Sequence, residues 1–118
     1  MNFDWSEYLR LARELADQRG DEAAMRTAIS RAYYAAYNIA SRHKAAEEAR
    51  SSQAGPHQAV WRLLKQSGNS SWRRAGNMGL RFMEIRQMVD YIDMVPALPW
   101  ESRKALGTAE TILHFLSS

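Results

Sequence analysis

A run of alanines at four-residue spacing constrains the fold more than any other feature of the chain. Alanine recurs within a long segment that contains neither proline nor glycine, at Ala28, Ala32, Ala36 and Ala40. Side chains four residues apart lie on the same face of an α-helix, so these alanines form a shallow ridge that lets another helix approach closely. The segment is therefore predicted to be a helix packed inside a helical bundle.

Helical periodicity extends over most of the chain, and strand-like alternation of apolar and polar residues is absent. Glycine and proline cluster at the junctions between the periodic segments. The short connections favour antiparallel neighbours, and the length fits one domain, residues 1–118. We therefore expect an all-α, up-and-down bundle of four or five helices. Their expected bounds are residues 5–18, 22–49, 57–66, 72–94 and 100–116.

Details of the second and fourth helices lead to further expectations. The end of the second helix, residues 43–50, is polar and is expected to project into solvent. Gly76 and Gly79 lie inside the fourth helix, where each lowers helix propensity by roughly 1 kcal/mol relative to alanine. They indicate either close packing or a later start of the regular helix. Apolar residues expected to face the core or an interface include Ile92, Trp61, Trp72 and Trp100.

Composition excludes several classes of protein. The chain contains no cysteine, which excludes disulfides, thiolate metal sites and a cysteine nucleophile. Its start lacks the basic and apolar regions of a secretory signal, and no apolar run approaches the roughly 20 residues of a membrane span. We therefore expect a cytoplasmic protein that does not enter a membrane.

Positive charge is concentrated in the middle third of the chain. Residues 57–90 contain six Lys or Arg and two Asp or Glu, whereas the whole chain has a net charge of +3. A basic patch of this kind can attract phosphate groups. The alternative interpretation is an ordinary solvated helix face.

Three segments carry a resemblance to a known family. Residues 28–40, which include Ser30-Arg31-Ala32-Tyr33-Tyr34-Ala35, resemble the second helix of HEPN domains. Residues 55–61 are similar to the start of the third HEPN helix. Residues 86–91 are similar to its Arg-x-x-Ala-Asp-Tyr signature, with valine in place of the alanine. In order and spacing, the resemblance covers about residues 4 to 115.

The resemblance implies an up-and-down helical bundle that forms homodimers in bacteria or archaea. Such domains often occur beside minimal nucleotidyltransferases in toxin–antitoxin pairs. Several branches of the family are metal-independent ribonucleases, and others are non-catalytic binding modules. The resemblance therefore leaves open whether this chain is an enzyme.

The catalytic HEPN motif is not found where it is expected. In the ribonucleases four to six residues separate an arginine from a histidine near the start of a late helix, and the two meet across the dimer. Here no histidine follows Arg86 until His114. Arg50 and His57 meet the bare spacing, but they flank the loop before the third helix. A chance match is the simpler interpretation of that pair.

Six residues make up the candidate site. His57 and Arg86 are the catalytic candidates, because histidine exchanges a proton near neutral pH and arginine holds phosphate. The binding candidates are Arg31, Tyr34, Asp90 and Tyr91. A purely structural interpretation pairs Arg31 with Asp90 in the core, or Arg86 with Asp90 within one helix, and buries the tyrosines. No carboxylate lies at metal-ligand spacing beside a histidine, so neither a metal nor a cofactor is expected.

Three functional hypotheses follow. The first is an RNA-directed HEPN protein of a bacterial toxin–antitoxin or defence system, either a ribonuclease toxin or an RNA-binding relative. The second is a non-catalytic module that binds a nucleotidyltransferase partner or a nucleotide. The third is a purely structural dimeric helical subunit.

Overall fold

The computed structural model describes residues 3–18, 20–51 and 55–118, except for the side chains of Arg50 and Ser51. All regular structure in these ranges is helical, which confirms the expected all-α class. None of the described helices is long and apolar enough to cross a membrane. The elements are α1 (Ser6–Ala16), α2 (Glu22–Ser41), a 3₁₀ segment (Lys44–Ser51), α3 (Pro56–Lys65), α4 (Ser70–Tyr91) and α5 (Leu98–Leu116).

The second helix is the centre of the bundle. Helix α2 packs against α1, α4 and α5. Its alanine ridge is fully buried, as the four-residue spacing predicts. Asp21 begins the helix by accepting a hydrogen bond from the backbone N–H of Ala24 at 3.0 Å, which satisfies a donor that the first turn leaves free. Small side chains thus let three helices approach α2 closely.

The expectation that the second helix continues to residue 49 is wrong. Helix α2 ends at Ser41, and the chain continues as the 3₁₀ segment. His43 redirects the backbone there, since its Nδ1 accepts a hydrogen bond from the N–H of Ala45 at 3.1 Å. Residues three apart share a face of a 3₁₀ helix. Ala46 and Ala49 therefore point together into the core and are buried, so this segment packs against α3 and does not project into solvent.

The fourth helix also differs from its expected bounds. It begins at Ser70 because the side chain of Asn69 accepts hydrogen bonds from the N–H groups of Ser71 and Trp72. It ends at Tyr91. Ile92 follows the last turn and is half exposed, so its expected place on the core face is wrong.

An arginine of α2 holds the end of α4. The guanidinium of Arg26 donates hydrogen bonds to the carbonyl oxygens of Val89, Ile92 and Asp93 at 2.6–2.8 Å, and it pairs with Glu22. The last carbonyls of a helix lack intrahelical partners. Arg26 supplies those partners and fixes where α4 ends relative to α2.

Of the three tryptophans expected to face the core or an interface, one is an anchor of the core. Trp61 is fully buried, as expected, and Trp72 is partly buried. Trp100 is half exposed, because α5 begins at Leu98 and its first turn points this ring outward next to Lys104. Pro99 is tolerated in this first turn, where its missing N–H has no partner to lose.

Close packing, and not a late helix start, accounts for both glycines of α4. A Cβ atom at Gly76 would lie 2.6 Å from the carbonyl oxygen of Trp61 in α3, and one at Gly79 would overlap the Trp61 ring. The absence of both side chains lets α3 lie directly on α4. A larger residue at Gly79 would therefore collide with the Trp61 ring in its position in the core.

We expect Gly79→Ala to destabilise the protein. The added methyl group collides with the buried Trp61 ring, and overpacking of this kind costs about 1–3 kcal/mol, which exceeds the gain of roughly 1 kcal/mol in helix propensity. Gly107→Ala in α5 is the matched control, because a Cβ there meets no atom within 4 Å. Urea unfolding should show a lower midpoint for Gly79→Ala and an unchanged or higher one for Gly107→Ala. Equal gains in both variants would contradict the close contact.

Candidate functional site

The candidate site is built around the buried ring of Tyr33. This side chain of α2 is fully buried, and its ring contacts those of Tyr37, His57 and Phe82 at centroid distances of 5.4–6.1 Å. Residues from α2, α3 and α4 thus meet at one tyrosine. Burial raises the pKa of Tyr33 far above its usual value, so its hydroxyl keeps its proton.

A chain of hydrogen bonds runs through the Tyr33 hydroxyl to His57. The indole Nε1–H of Trp61 donates to the Tyr33 oxygen at 3.0 Å. The same oxygen lies 2.9 Å from His57 Nδ1. Since an indole can only donate, the buried hydroxyl needs His57 Nδ1 as the acceptor for its own proton. We therefore assign neutral His57 the tautomer with its proton on Nε2.

The imidazole of His57 is also held by ring stacking. Tyr37 lies parallel to it, with 3.7 Å between the ring centroids and 5° between the planes. Tyr34 meets it edge-on at 5.8 Å. Burial, and then repulsion from Arg86, lower the pKa of His57 below its ordinary value near 6.5. The ring is therefore neutral at pH 7.

Arg86 approaches the same rings from α4 and is almost fully buried, with 8% of its surface exposed. Its Nη1 donates to Asp90 Oδ2 at 3.3 Å. Its Nε is buried and has no hydrogen-bond partner among the described residues. The guanidinium carbon lies 5.4 Å from the Tyr33 ring centroid and 5.6 Å from that of Tyr34. A buried guanidinium with an unused donor is costly, so it is the least satisfied group of the site.

Arg31 joins the site through aromatic rings and not through a carboxylate. Its guanidinium carbon lies 4.9 Å from the Tyr8 ring centroid and 5.6 Å from that of Tyr34. The expected pairing of Arg31 with Asp90 is wrong, because Asp90 pairs with Arg86 within α4. Within the described ranges, Arg31 has no carboxylate at ion-pair distance. Tyr34 therefore lies between two guanidinium groups and contacts both.

Of the six candidate residues, five are brought together by the fold. Tyr91 is on the rim, three-quarters exposed, where it lines a shallow depression together with Arg86. The pair of Arg50 and His57 cannot be assessed, because the Arg50 side chain is outside the described part of the chain. The remaining candidates form one polar aromatic cluster, called the tyrosine cluster below. Its members are His57, Arg86, Arg31, Tyr34 and Asp90.

Sequence reasoning missed the ring contacts that Tyr33 and Tyr37 make with His57 and Trp61, which a spacing rule could have found. Tyr33 and Tyr37 are four residues apart in α2, and His57 and Trp61 are four apart in α3. Each pair lies on one helix face, so two helices that pack on these faces place all four rings together. What no spacing indicates is that the Tyr33 hydroxyl bridges Trp61 and His57.

The tyrosine cluster offers donors and ring faces, and little else. Arg31, Arg86 and the Nε2–H of His57 are donors suited to an anion, and Asp90 is already paired. Among the described residues no group of three histidine or acidic side chains is placed to hold a metal ion. The arrangement can therefore bind a phosphate and stack against a planar ring.

Comparisons with protein-family models, with curated proteins and with solved structures give no match to this chain. The role of the tyrosine cluster is therefore inferred from its own geometry.

We expect NMR of ¹⁵N-labelled protein to show His57 protonated on Nε2 at pH 7, with a titration midpoint below about 6.5. Arg86→Gln removes the positive charge whose repulsion helps to lower the pKa of His57, so the midpoint should rise towards the ordinary value. Trp72→Phe is the control, since Trp72 lies outside the cluster and contacts His43. A proton on Nδ1 in the wild type would contradict the assigned hydrogen-bond chain.

Proposed function

We propose that this protein is a HEPN-type domain of a bacterial toxin–antitoxin or defence system, and that it binds single-stranded RNA through the tyrosine cluster. The observation that carries the proposal is the ring of Tyr34, which the guanidinium groups of Arg31 and Arg86 both contact. A phosphate oxygen beside this ring would interact with both positive charges. The resemblance of residues 28–40 and 86–91 to HEPN segments supports the same proposal.

Charge in the cluster favours a phosphate ligand. Two guanidinium groups contact the ring of Tyr34, that of Arg31 from the same helix and that of Arg86 from α4. Among the described residues one carboxylate, that of Asp90, is paired with Arg86 and none with Arg31, so the cluster keeps a net positive charge. Arginine binds phosphate through several donors in a fixed plane, which suits an RNA backbone.

The exposed ring edges favour a nucleic acid over a free phosphate. Tyr34 and His57 are each partly exposed and meet edge-on. Bases of single-stranded RNA hydrogen-bond through their edges and stack on the planes of arginine side chains. A nucleotide unit can therefore place its phosphate and its base beside the arginines and the exposed edges of these two rings.

The hydrogen-bond chain favours binding over cleavage. A general base at His57 would need a free lone pair on Nε2, but the Tyr33 hydroxyl makes Nδ1 the acceptor and leaves the proton on Nε2. Moving that proton to Nδ1 would leave a buried hydroxyl without an acceptor, which costs about 1–3 kcal/mol. His57 thus serves best as a neutral donor to a phosphate oxygen, with Arg86 beside it.

We expect a fluorescent 12-nucleotide oligouridine to bind the wild type with an affinity that falls as salt rises. Arg31→Gln should weaken binding and reduce the slope of log Kd against log salt by about 0.7, the value for one phosphate contact on a single strand. Arg10→Gln is the matched control: it removes the same charge from α1, where Arg10 is exposed and bound to Glu7 and Glu14.

The same samples test cleavage. Intact RNA after incubation with the wild type would agree with a binding role. Cleavage that His57→Gln and Arg86→Gln each abolish would make His57 and Arg86 catalytic, as in the ribonuclease branch of the family. Equal affinities for Arg31→Gln and Arg10→Gln would remove the tyrosine cluster as the RNA site.

An exposed apolar surface favours a protein partner as well. Beyond the tyrosine cluster, the end of α4 and the residues that follow it expose Met88, Tyr91, Ile92 and Met94, of which Met94 is 84% exposed. Neighbouring apolar side chains at a surface mark interaction sites. We infer that this apolar end of α4 mediates a homodimer. The second candidate function is that of a non-catalytic module. In that case the same surface binds a nucleotidyltransferase partner.

We expect light scattering to report the mass of two chains for the wild type and of one chain for Met94→Asp, because a carboxylate cannot be buried in an apolar interface without a partner. Trp100→Asp is the control, since it removes a half-exposed apolar side chain from α5, outside the apolar end of α4. A monomeric wild type, or a dimer lost only in Trp100→Asp, would contradict the inferred interface. A monomer that forms a complex with a nucleotidyltransferase would favour the second candidate.

A further inference from the structure

A groove between α4 and α5 lies apart from the tyrosine cluster. It consists of two adjoining depressions of about 310 and 580 Å³ that share Met78 and Arg81. None of the candidate residues of the tyrosine cluster lines either depression. Phe82 separates the two regions, since its ring contacts Tyr33 edge-on and also lines the smaller depression.

The rim of the groove is basic. Arg81 and Lys104 face the smaller depression, and Lys65 and Arg74 face the larger one. All four residues are exposed, and none has a carboxylate at ion-pair distance within the described ranges. Glu101 is the acidic residue described along the same lining. Four cations against one carboxylate leave the groove with an uncompensated positive charge.

The floor of the groove is apolar. Met78, Phe82, Ile85 and Ala105 line the smaller depression, and Leu80 and Phe115 continue the apolar surface in the larger one. Methionine adapts its shape to different partners. An apolar floor with a charged rim is the usual construction of a groove that receives an amphipathic helix.

We propose that this groove binds an acidic, amphipathic helix of a partner protein. Leucine-like side chains of that helix would enter the apolar floor, and its carboxylates would pair with Arg81, Lys104 and Arg74. Because Arg74 and Arg81 are seven residues apart in α4, they are about 10.5 Å apart along the helix axis. Carboxylates one heptad apart on the partner helix match that spacing.

The groove suits a peptide better than RNA. Bases need a free aromatic face for stacking. The aromatic ring nearest the larger rim is that of Phe115, and the guanidinium carbon of Arg74 already lies 5.8 Å from its centroid. Phe82 is buried. The aliphatic side chains of the floor, such as Met78 and Ile85, instead offer contact area to aliphatic groups of a ligand. RNA does not expose such groups.

The test uses a fluorescein-labelled 14-residue peptide with leucine at positions 3, 6, 7, 10 and 14 and mostly glutamate elsewhere, so that the leucines share one helix face. We expect fluorescence anisotropy to show saturable binding to the wild type. The double variant Arg81→Gln, Lys104→Gln should weaken binding at least tenfold. Arg10→Gln and Arg31→Gln should leave it unchanged, which separates the groove from the proposed RNA site. Circular dichroism checks that each variant remains folded.

Two further probes complete the experiment. A peptide of the same composition with its leucines scattered around the helix should bind at least tenfold more weakly, since it cannot fill the floor while its carboxylates face the rim. The 12-nucleotide oligouridine should not displace the amphipathic peptide. Equal binding of both peptides, unchanged binding by the double variant, displacement by the RNA, or no peptide binding would each overturn the proposal.

Discussion

The buried hydroxyl of Tyr33 is the interaction on which the rest of the site depends. A hydroxyl without solvent needs a donor and an acceptor, and here Trp61 and His57 supply them from α3. Trp61 reaches that position because Gly79 of α4 has no side chain. One polar group thus couples three helices, and a change at Gly79 is expected to alter the position of His57 without touching it.

The hydrogen bonds of the Tyr33 hydroxyl also fix the chemistry of the tyrosine cluster. The hydroxyl proton determines the tautomer of His57, and the ring beneath Arg86 holds a guanidinium that burial would otherwise make very costly. Both donors are therefore oriented before a ligand arrives. Such preorganisation reduces the entropy lost on binding, which agrees with a recognition site for a phosphate more readily than with a proton-transfer site.

Helix α4 directs three of its arginines to two different surfaces. Arg86 faces α2 and the tyrosine cluster, whereas Arg74 and Arg81 face the groove beside α5. A charge excess that looks like one patch along the chain therefore becomes two sites with different surroundings. One is rich in aromatic rings and the other in aliphatic side chains, so the two surfaces are expected to bind different classes of partner.

The sequence by itself determined the helical class, the buried alanine ridge of α2 and the start of α2 at Glu22, because these depend on spacing and on contacts within one turn. It also indicated that His57, Arg86 and Tyr34 belong together, but only through the resemblance to HEPN segments. The tertiary structure alone decided that α2 stops at Ser41, that Arg26 holds the end of α4 and that Asp90 pairs with Arg86 and not Arg31. The bonds from Arg26 to α4 join residues more than 60 positions apart, and no local pattern encodes such contacts.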